Sequence, residues 1–192
     1  MQVILNHPPI DEIHSFCWYS HDYKHLKKCF DTSISNLEIH EKCEIIDANA
    51  FDGCHNLTKI DLPASVCEIG EWAFANCLSL REIKSTEQLK KIGSHAFYFC
   101  ISLQKFQFPN DLTAIEPYTF YDCRGLKDVG DLTKVTSIGD AAFCNCMTLD
   151  TIKLPEYFIY YGNKPFDGCE NLPEEAKRII EQWEQDKNQS NK

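Results

Sequence analysis

The chain has 192 residues, 43% of them hydrophobic and 25% charged, a balance suited to one folded domain with a sizeable core. Its 19 Lys and Arg stand against 29 Asp and Glu, giving a formal net charge of -10. No stretch reaches the roughly 18–20 continuous apolar residues of a membrane span, and no basic stripe is present to neutralise phosphates. Membrane insertion and nucleic-acid binding are not expected.

The N-terminal segment MQVILNHPPIDE lacks the basic start and apolar run of a secretory signal. A cytoplasmic location is therefore expected, with the cell surface as the alternative. Further along, Phe16, Tyr19, Tyr23, Leu26 and Phe30 step by 3, 4, 3 and 4, the spacing of one helix face. This predicts a helical cap within residues 1–33. His14, His21 and His25 fall opposite that stripe, with Cys17 and Cys29 flanking them on different sides. His21 and His25, four apart, give a zinc-binding alternative; a solvated polar face is the simpler reading, and no metal or other cofactor is expected.

Residues 34–172 repeat with a period of 23, over about six units. Phe51, Phe74, Phe97, Phe120, Phe143 and Phe166 form one column. Cys54, Cys77, Cys100, Cys123, Cys146 and Cys169 form another, and Leu57, Leu80, Leu103, Leu126, Leu149 and Leu172 a third. Ile46, Ile69, Ile92, Ile115 and Ile138 follow the same step, with Gly70, Gly93, Gly139 and Gly162 next to them and Glu116 interrupting the glycines. Such columns mean a solenoid, in which each unit packs only on its neighbours. Within a unit, Lys59-Ile60-Asp61-Leu62-Pro63 alternates polar and apolar residues and reads as a short strand ended by proline. Gly70 is expected to permit the bend that turns the chain back through Trp72 and Phe74. Successive strands would stack about 4.8 Å apart into one parallel sheet.

The final segment begins Asn171-Leu172-Pro173-Glu174-Glu175, a helix start with proline in the first turn and acids near the positive end of the dipole. Ala176, Ile180 and Trp183 supply its docking stripe. Residues 173–192 are thus a C-terminal capping helix followed by a tail, DKNQSNK, expected to be disordered.

The pattern L-x-x-I-x-L-P followed by I-G-x-x-A-F-x-x-C-x-x-L resembles the BspA-type leucine-rich repeat over about residues 34–172. The resemblance implies an α/β repeat solenoid, a leucine-rich-repeat coil stack with a parallel sheet on one face and helical caps at both ends. It also implies a protein-interaction module or a surface adhesin of microbial type.

Chemistry-bearing motifs are otherwise sparse. The sequence carries no nucleophile elbow and no glycine-rich phosphate loop, so catalysis is not expected. The cysteine column projects in parallel from successive coils and reads as buried free thiol, whereas Cys67 and Cys144 register at more exposed positions. Two surfaces remain for a protein partner. On the open face of the sheet, Lys59, Lys84 and Lys105 lie among residues of mixed charge. On the return arc, Trp72, His95 and Tyr118 share one column and Tyr98 and Tyr121 another, with Phe99 beside them. Large aromatics on three consecutive coils, in columns that hold Asn49, Asp52, Lys164 and Asp167 elsewhere, point to a contact patch. Oligomeric state stays open at this level.

Overall fold

A computed structural model describes residues 16–190. The repeat becomes a stack of coils, most of which contribute two short strands. On one side, β3 (Asn36–Glu38), β5 (Lys59–Asp61) and β7 (Glu82–Lys84) pair in parallel and in 23-residue register. Lys105 bridges this ladder to β10 (Asp128–Asp131), which pairs with β12 (Thr151–Lys153). Strands β5, β7 and β12 bury their central residue and expose both neighbours, as the alternation at Lys59-Ile60-Asp61 predicts.

A second ladder, not anticipated from the sequence, runs along the isoleucine column. It consists of β4 (Ile45–Ile46), β6 (Glu68–Ile69) and β8 (Lys91–Ile92), then β9 (Ala114–Ile115), β11 (Ser137–Ile138) and β13 (Tyr160–Tyr161). Each strand has two residues, too short for a period-of-two pattern to show. The ladder is interrupted between β8 and β9. The glycine column gives the physical reason. A Cβ on Gly93 would lie 2.5 Å from the Glu71 backbone nitrogen, and one on Gly70 2.6 Å from that of Ala48. Glycine therefore allows close approach of coils at this corner, and none of the four column glycines has a positive φ. Glu116 brings a side chain to the same position, and the interruption falls at its coil.

The bend itself is made elsewhere. Ala73 N–H donates to Gly70 O and Cys77 N–H to Phe74 O, two tight turns whose third residues are Trp72 (φ 58) and Asn76 (φ 57). The left-handed conformation recurs every 23 residues, at Asn49, Trp72, His95, Tyr118, Ala141 and Lys164 and again at Gly53, Asn76, Phe99, Asp122, Asn145 and Gly168. Between these turns the backbone bonds to the following coil. The N–H groups of Trp72, Phe74 and Asn76 donate to the carbonyls of Ser94, Ala96 and Tyr98 at 3.1, 2.8 and 2.8 Å.

The core is the set of columns read from the sequence. Phe51, Phe74, Phe97, Phe120 and Phe143 are fully buried, and neighbouring rings stack with centroids 4.9–5.4 Å apart through Phe166. The cysteine column is buried as expected but does more than fill space. The thiols of Cys77, Cys100, Cys123, Cys146 and Cys169 donate to the carbonyls of Phe51, Phe74, Phe97, Phe120 and Phe143 at 3.0–3.2 Å. A small apolar side chain there would leave those buried carbonyls without this partner.

Among the described residues the N-terminal helical cap is not found. Residues Cys17–Tyr19 (β1) and His25–Cys29 (β2) form an antiparallel hairpin, and β2 adds in parallel to β4. The stripe that suggested a helix is divided: Tyr19 and Leu26 are buried, whereas Phe16 and Phe30 are exposed. The reason is the open edge of β4, which needs backbone donors and acceptors that a helix cannot offer. His21 lies in the hairpin turn and His25 on β2, where its Nδ1 is 2.8 Å from Asp47 Oδ1, so they share no helix face. Cys17 and Cys29, expected on different sides, face each other across the hairpin. His14 lies outside the described residues. Among the described residues no three His, Cys, Asp or Glu side chains are grouped to hold a metal.

At the other end, α1 (Glu174–Ser190) docks through Ala176, Ile180 and Trp183 and continues through most of the segment expected to be a disordered tail. Trp183 Nε1 donates to Glu156 O at 3.2 Å, and Lys187 Nζ to Gly162 O at 2.9 Å. The helix thus covers both side chains and carbonyls of the last coil. No described helix is long and apolar enough to cross a membrane.

Phe97→Ala removes a ring stacked between two others and should cost about 3–5 kcal/mol. Thermal denaturation should show a clear fall in Tm; an unchanged Tm would remove the phenylalanine column from the core.

Candidate interaction surface

The aromatic residues assigned to the return arc come together as one patch. Trp72, His95 and Tyr118 occupy the first left-handed position of consecutive coils, so their side chains repeat at the coil spacing. Trp72 and His95 stack with centroids 4.0 Å apart and planes 11° apart, and His95 and Tyr118 at 4.8 Å and 12°. Tyr98 and Tyr121 form a second stack at 5.1 Å and 11°. Tilted contacts join the two stacks: Trp72 to Tyr98 at 5.2 Å, and Tyr118 to Tyr121 at 5.7 Å. Phe99 leans on Tyr98 at 4.8 Å and extends the patch by one residue. All six side chains are half-buried, so each presents an edge to solvent while its face is covered by a neighbour.

Backbone geometry makes this cluster unusual. A left-handed residue with a Cβ costs roughly 1–2 kcal/mol, and Gly and Asn adopt the conformation most readily. The Phe99 column otherwise holds Gly53, Asn76, Asp122, Asn145 and Gly168, all suited to it. Phe99 is the exception, and Trp72, His95 and Tyr118 are large aromatics at the other left-handed position. Of the five aromatic rings at left-handed positions among the described residues, four fall within this patch, the other being Tyr23 of the N-terminal hairpin. The column alignment contained the substitution at Phe99, but its backbone cost appears only with the torsion angle.

Burial of the patch has an electrostatic consequence. Removal from water pulls the His95 imidazole below its ordinary pKa, against a smaller opposing influence of Glu71. Its Nδ1 is buried with no hydrogen-bond partner. A neutral ring between Trp72 and Tyr118 is therefore favoured at neutral pH. Charge sits at the rim: Trp72 Nε1 donates to Glu71 Oε1 at 3.2 Å, and Arg124 grips buried Asp122 through Nε and a terminal nitrogen at 2.8 and 3.1 Å.

The lysine face is separate. Lys59, Lys84 and Lys105 are exposed on the β5–β7 side of the stack. Lys59 lies 3.6 Å from Asp61 and 4.0 Å from Glu82, and Lys105 lies 2.7 Å from Asp128. Lys84 and Lys105 border a shallow groove of about 680 Å³ whose walls also include Arg81, Glu82 and Gln107. With Lys59 and Lys105 paired to carboxylates, the face is polar and of mixed charge, in line with its sequence.

Comparison with known proteins agrees with the architecture. Residues 26–130 and 115–176 match the BspA type leucine rich repeat region in six copies. The chain belongs to the BspA-type leucine-rich repeat family. Among solved structures, the leucine rich repeat protein of T. pallidum is 25% identical, with a TM-score of 0.66 covering 88% of this chain and 93% of that one. A leucine rich cell surface protein from Faecalibacterium prausnitzii is 30% identical, with a TM-score of 0.63 covering 68% of this chain and 35% of that one. No curated protein matches the chain.

Phe99→Asn tests whether the ring is retained for packing. Relief of the left-handed strain, about 1 kcal/mol, offsets the lost contacts with Tyr98 and Tyr121. The expected Tm is equal to or above that of the parent; a fall of several degrees would make Phe99 a structural residue.

Proposed function

We propose that this chain is a non-catalytic, surface-displayed binding module whose contact surface for a protein partner is the aromatic patch of Trp72, His95, Tyr98, Phe99, Tyr118 and Tyr121. The observation that carries the reading is the placement of four large rings at left-handed backbone positions. Every coil has a left-handed residue here, Ala141 and Lys164 among them, but only these three consecutive coils place large rings on it, and strain of this kind clusters at functional sites. The stack also fixes these rings before any partner arrives, which lowers the ordering cost of association. Surface display is supported by family membership and by the F. prausnitzii relative, described as a cell surface protein.

A second reading is an intracellular interaction module using the same patch. It is favoured by the eleven cysteines of the sequence, those in the described residues being free thiols. Antibody labelling of intact native cells separates the two. Surface display requires labelling without permeabilisation; signal only after permeabilisation selects the intracellular reading.

The patch is tested by Trp72→Ala combined with Tyr118→Ala. Truncating hot-spot aromatics costs at least about 2 kcal/mol of binding energy, a loss of roughly thirtyfold in affinity for the native partner. Lys84→Glu with Lys105→Glu serves as the comparison and should leave affinity within a few fold. If the lysine variant loses the partner and the aromatic variant retains it, binding belongs to the sheet face.

A further inference from the structure

The hairpin that replaces the expected helix brings two cysteines into a relation found nowhere in the cysteine column. Cys17 and Cys29 are directly opposed in the antiparallel register of β1 and β2. Phe30 N–H donates to Phe16 O at 2.8 Å, which makes residues 16 and 30 a hydrogen-bonded pair. The next pair, Cys17 and Cys29, is then a non-hydrogen-bonded one, and the Cys29 N–H turns away to Ala50 O at 2.7 Å. Such a pair has its Cα atoms about 4.5 Å apart and its side chains on one face. That separation lies within the roughly 4.4–6.8 Å that a disulfide spans. The two thiols lie close enough to perturb each other's ionisation, while the Cys29 thiol donates to Asp31 O at 3.5 Å. Cys17 is half-buried and Cys29 buried, so a reagent reaches the first and not the second.

We propose that Cys17 and Cys29 are a thiol pair that closes to a disulfide in exchange with a disulfide oxidant and so staples the N-terminal hairpin onto the solenoid. Contact with Cys29 pushes the Cys17 thiol up while pulling the Cys29 thiol down, so Cys17 passes its proton to Cys29 as its sulfur, the one a reagent reaches, attacks one sulfur of the oxidant. A mixed disulfide forms at Cys17 and the first thiolate leaves. Cys29 then loses its proton and attacks the Cys17 sulfur, forming the Cys17–Cys29 bond and expelling the second thiolate. Two protein thiols are oxidised, one external disulfide is reduced to two thiols, and the two protons go to the leaving thiolates. The column thiols are unsuited to this chemistry, because they extend from parallel coils and from Cys77 onward are engaged with phenylalanine carbonyls. Cys54 is the nearest competitor, since its thiol and that of Cys29 perturb each other's ionisation, but it is buried and does not face Cys29 across an antiparallel pair.

The staple acts where the stack is otherwise open. Strand β2 covers the edge of β4, and β1 covers β2. Holding β1 to β2 covalently keeps the hairpin from peeling off the first coil. This inference rests on the hairpin geometry alone and holds whether the module is displayed or intracellular.

The test treats the folded protein with glutathione disulfide and maps cysteines by peptide mass spectrometry. Lys24, Lys27 and Lys28 separate the two cysteines for trypsin, so the bond appears as a linked pair of peptides. The expected result is a Cys17–Cys29 link reversed by dithiothreitol, with no lasting glutathione adduct on Cys17. Cys67 and Cys144, also half-buried, provide the reference for adducts that persist. In Cys29→Ser the adduct on Cys17 should persist as well, and in Cys17→Ser the link should be absent, with circular dichroism confirming the fold of each. A lasting Cys17 adduct in the parent protein, a Cys29–Cys54 link, or a Cys17–Cys29 link formed only after denaturation would overturn the proposal.

Discussion

The whole molecule depends on one backbone constraint: after 23 residues the chain must return to its starting point, displaced by a single strand spacing. Only then do the N–H groups of one coil meet carbonyls of the next. The two strand ladders satisfy part of this requirement, but the arc between them is neither helix nor strand. There the bonds run from residue i to residue i+22, three per coil, as at Phe97 to Thr119 and Phe120 to Ala142. The turns that make such an arc place two residues per coil in the left-handed region. Glycine, asparagine and aspartate therefore recur in one of these columns, while glycine at the Gly70 and Gly93 corner answers a different demand, the close approach of adjacent backbones.

Once the coil spacing is set, the side chains inherit it. Rings of the phenylalanine column are held about one coil apart and stack nearly face to face inside the molecule. On the outside, the same spacing stacks Trp72 on His95 and His95 on Tyr118. Interior and surface stacks thus have one geometric cause but different energetic meanings. The inner rings remove apolar area from water, which is the dominant favourable contribution to folding. The outer rings remain half-exposed and occupy backbone positions that oppose them. The cysteines show the same inheritance in polar form, since from Cys77 onward each coil brings a thiol to the phenylalanine carbonyl of the coil before it.

A stack of this kind has two ends, and they are closed differently. The C-terminal end is covered by α1, whose Trp183 and Lys187 reach carbonyls of the last coil. Among the described residues the N-terminal end is extended by β2 and then by β1, whose antiparallel direction stops the parallel ladder. Asp47 fastens this hairpin to the first coil, accepting from Lys27 at 2.6 Å and facing His25 at 2.8 Å. Ion pairs so exposed contribute little alone. Their value is directional, because they hold β2 in register with β4.

The sequence by itself determined the repeat, its period, the buried columns and the C-terminal helix, because each is a local or strictly periodic property. It also determined which aromatics share a surface, since register in a solenoid is equivalent to position in space. Four things were decided only by tertiary structure. The second ladder was hidden because two-residue strands carry no readable alternation. The N-terminal hairpin was hidden because Phe16 to Phe30 has helical spacing, and only the open edge of β4 overrides it. The opposition of Cys17 and Cys29 follows from that hairpin and from nothing in their separation along the chain. The cost of placing Trp72, His95, Phe99 and Tyr118 where they stand resides in backbone torsion, which residue identity does not reveal until coil closure fixes the angle.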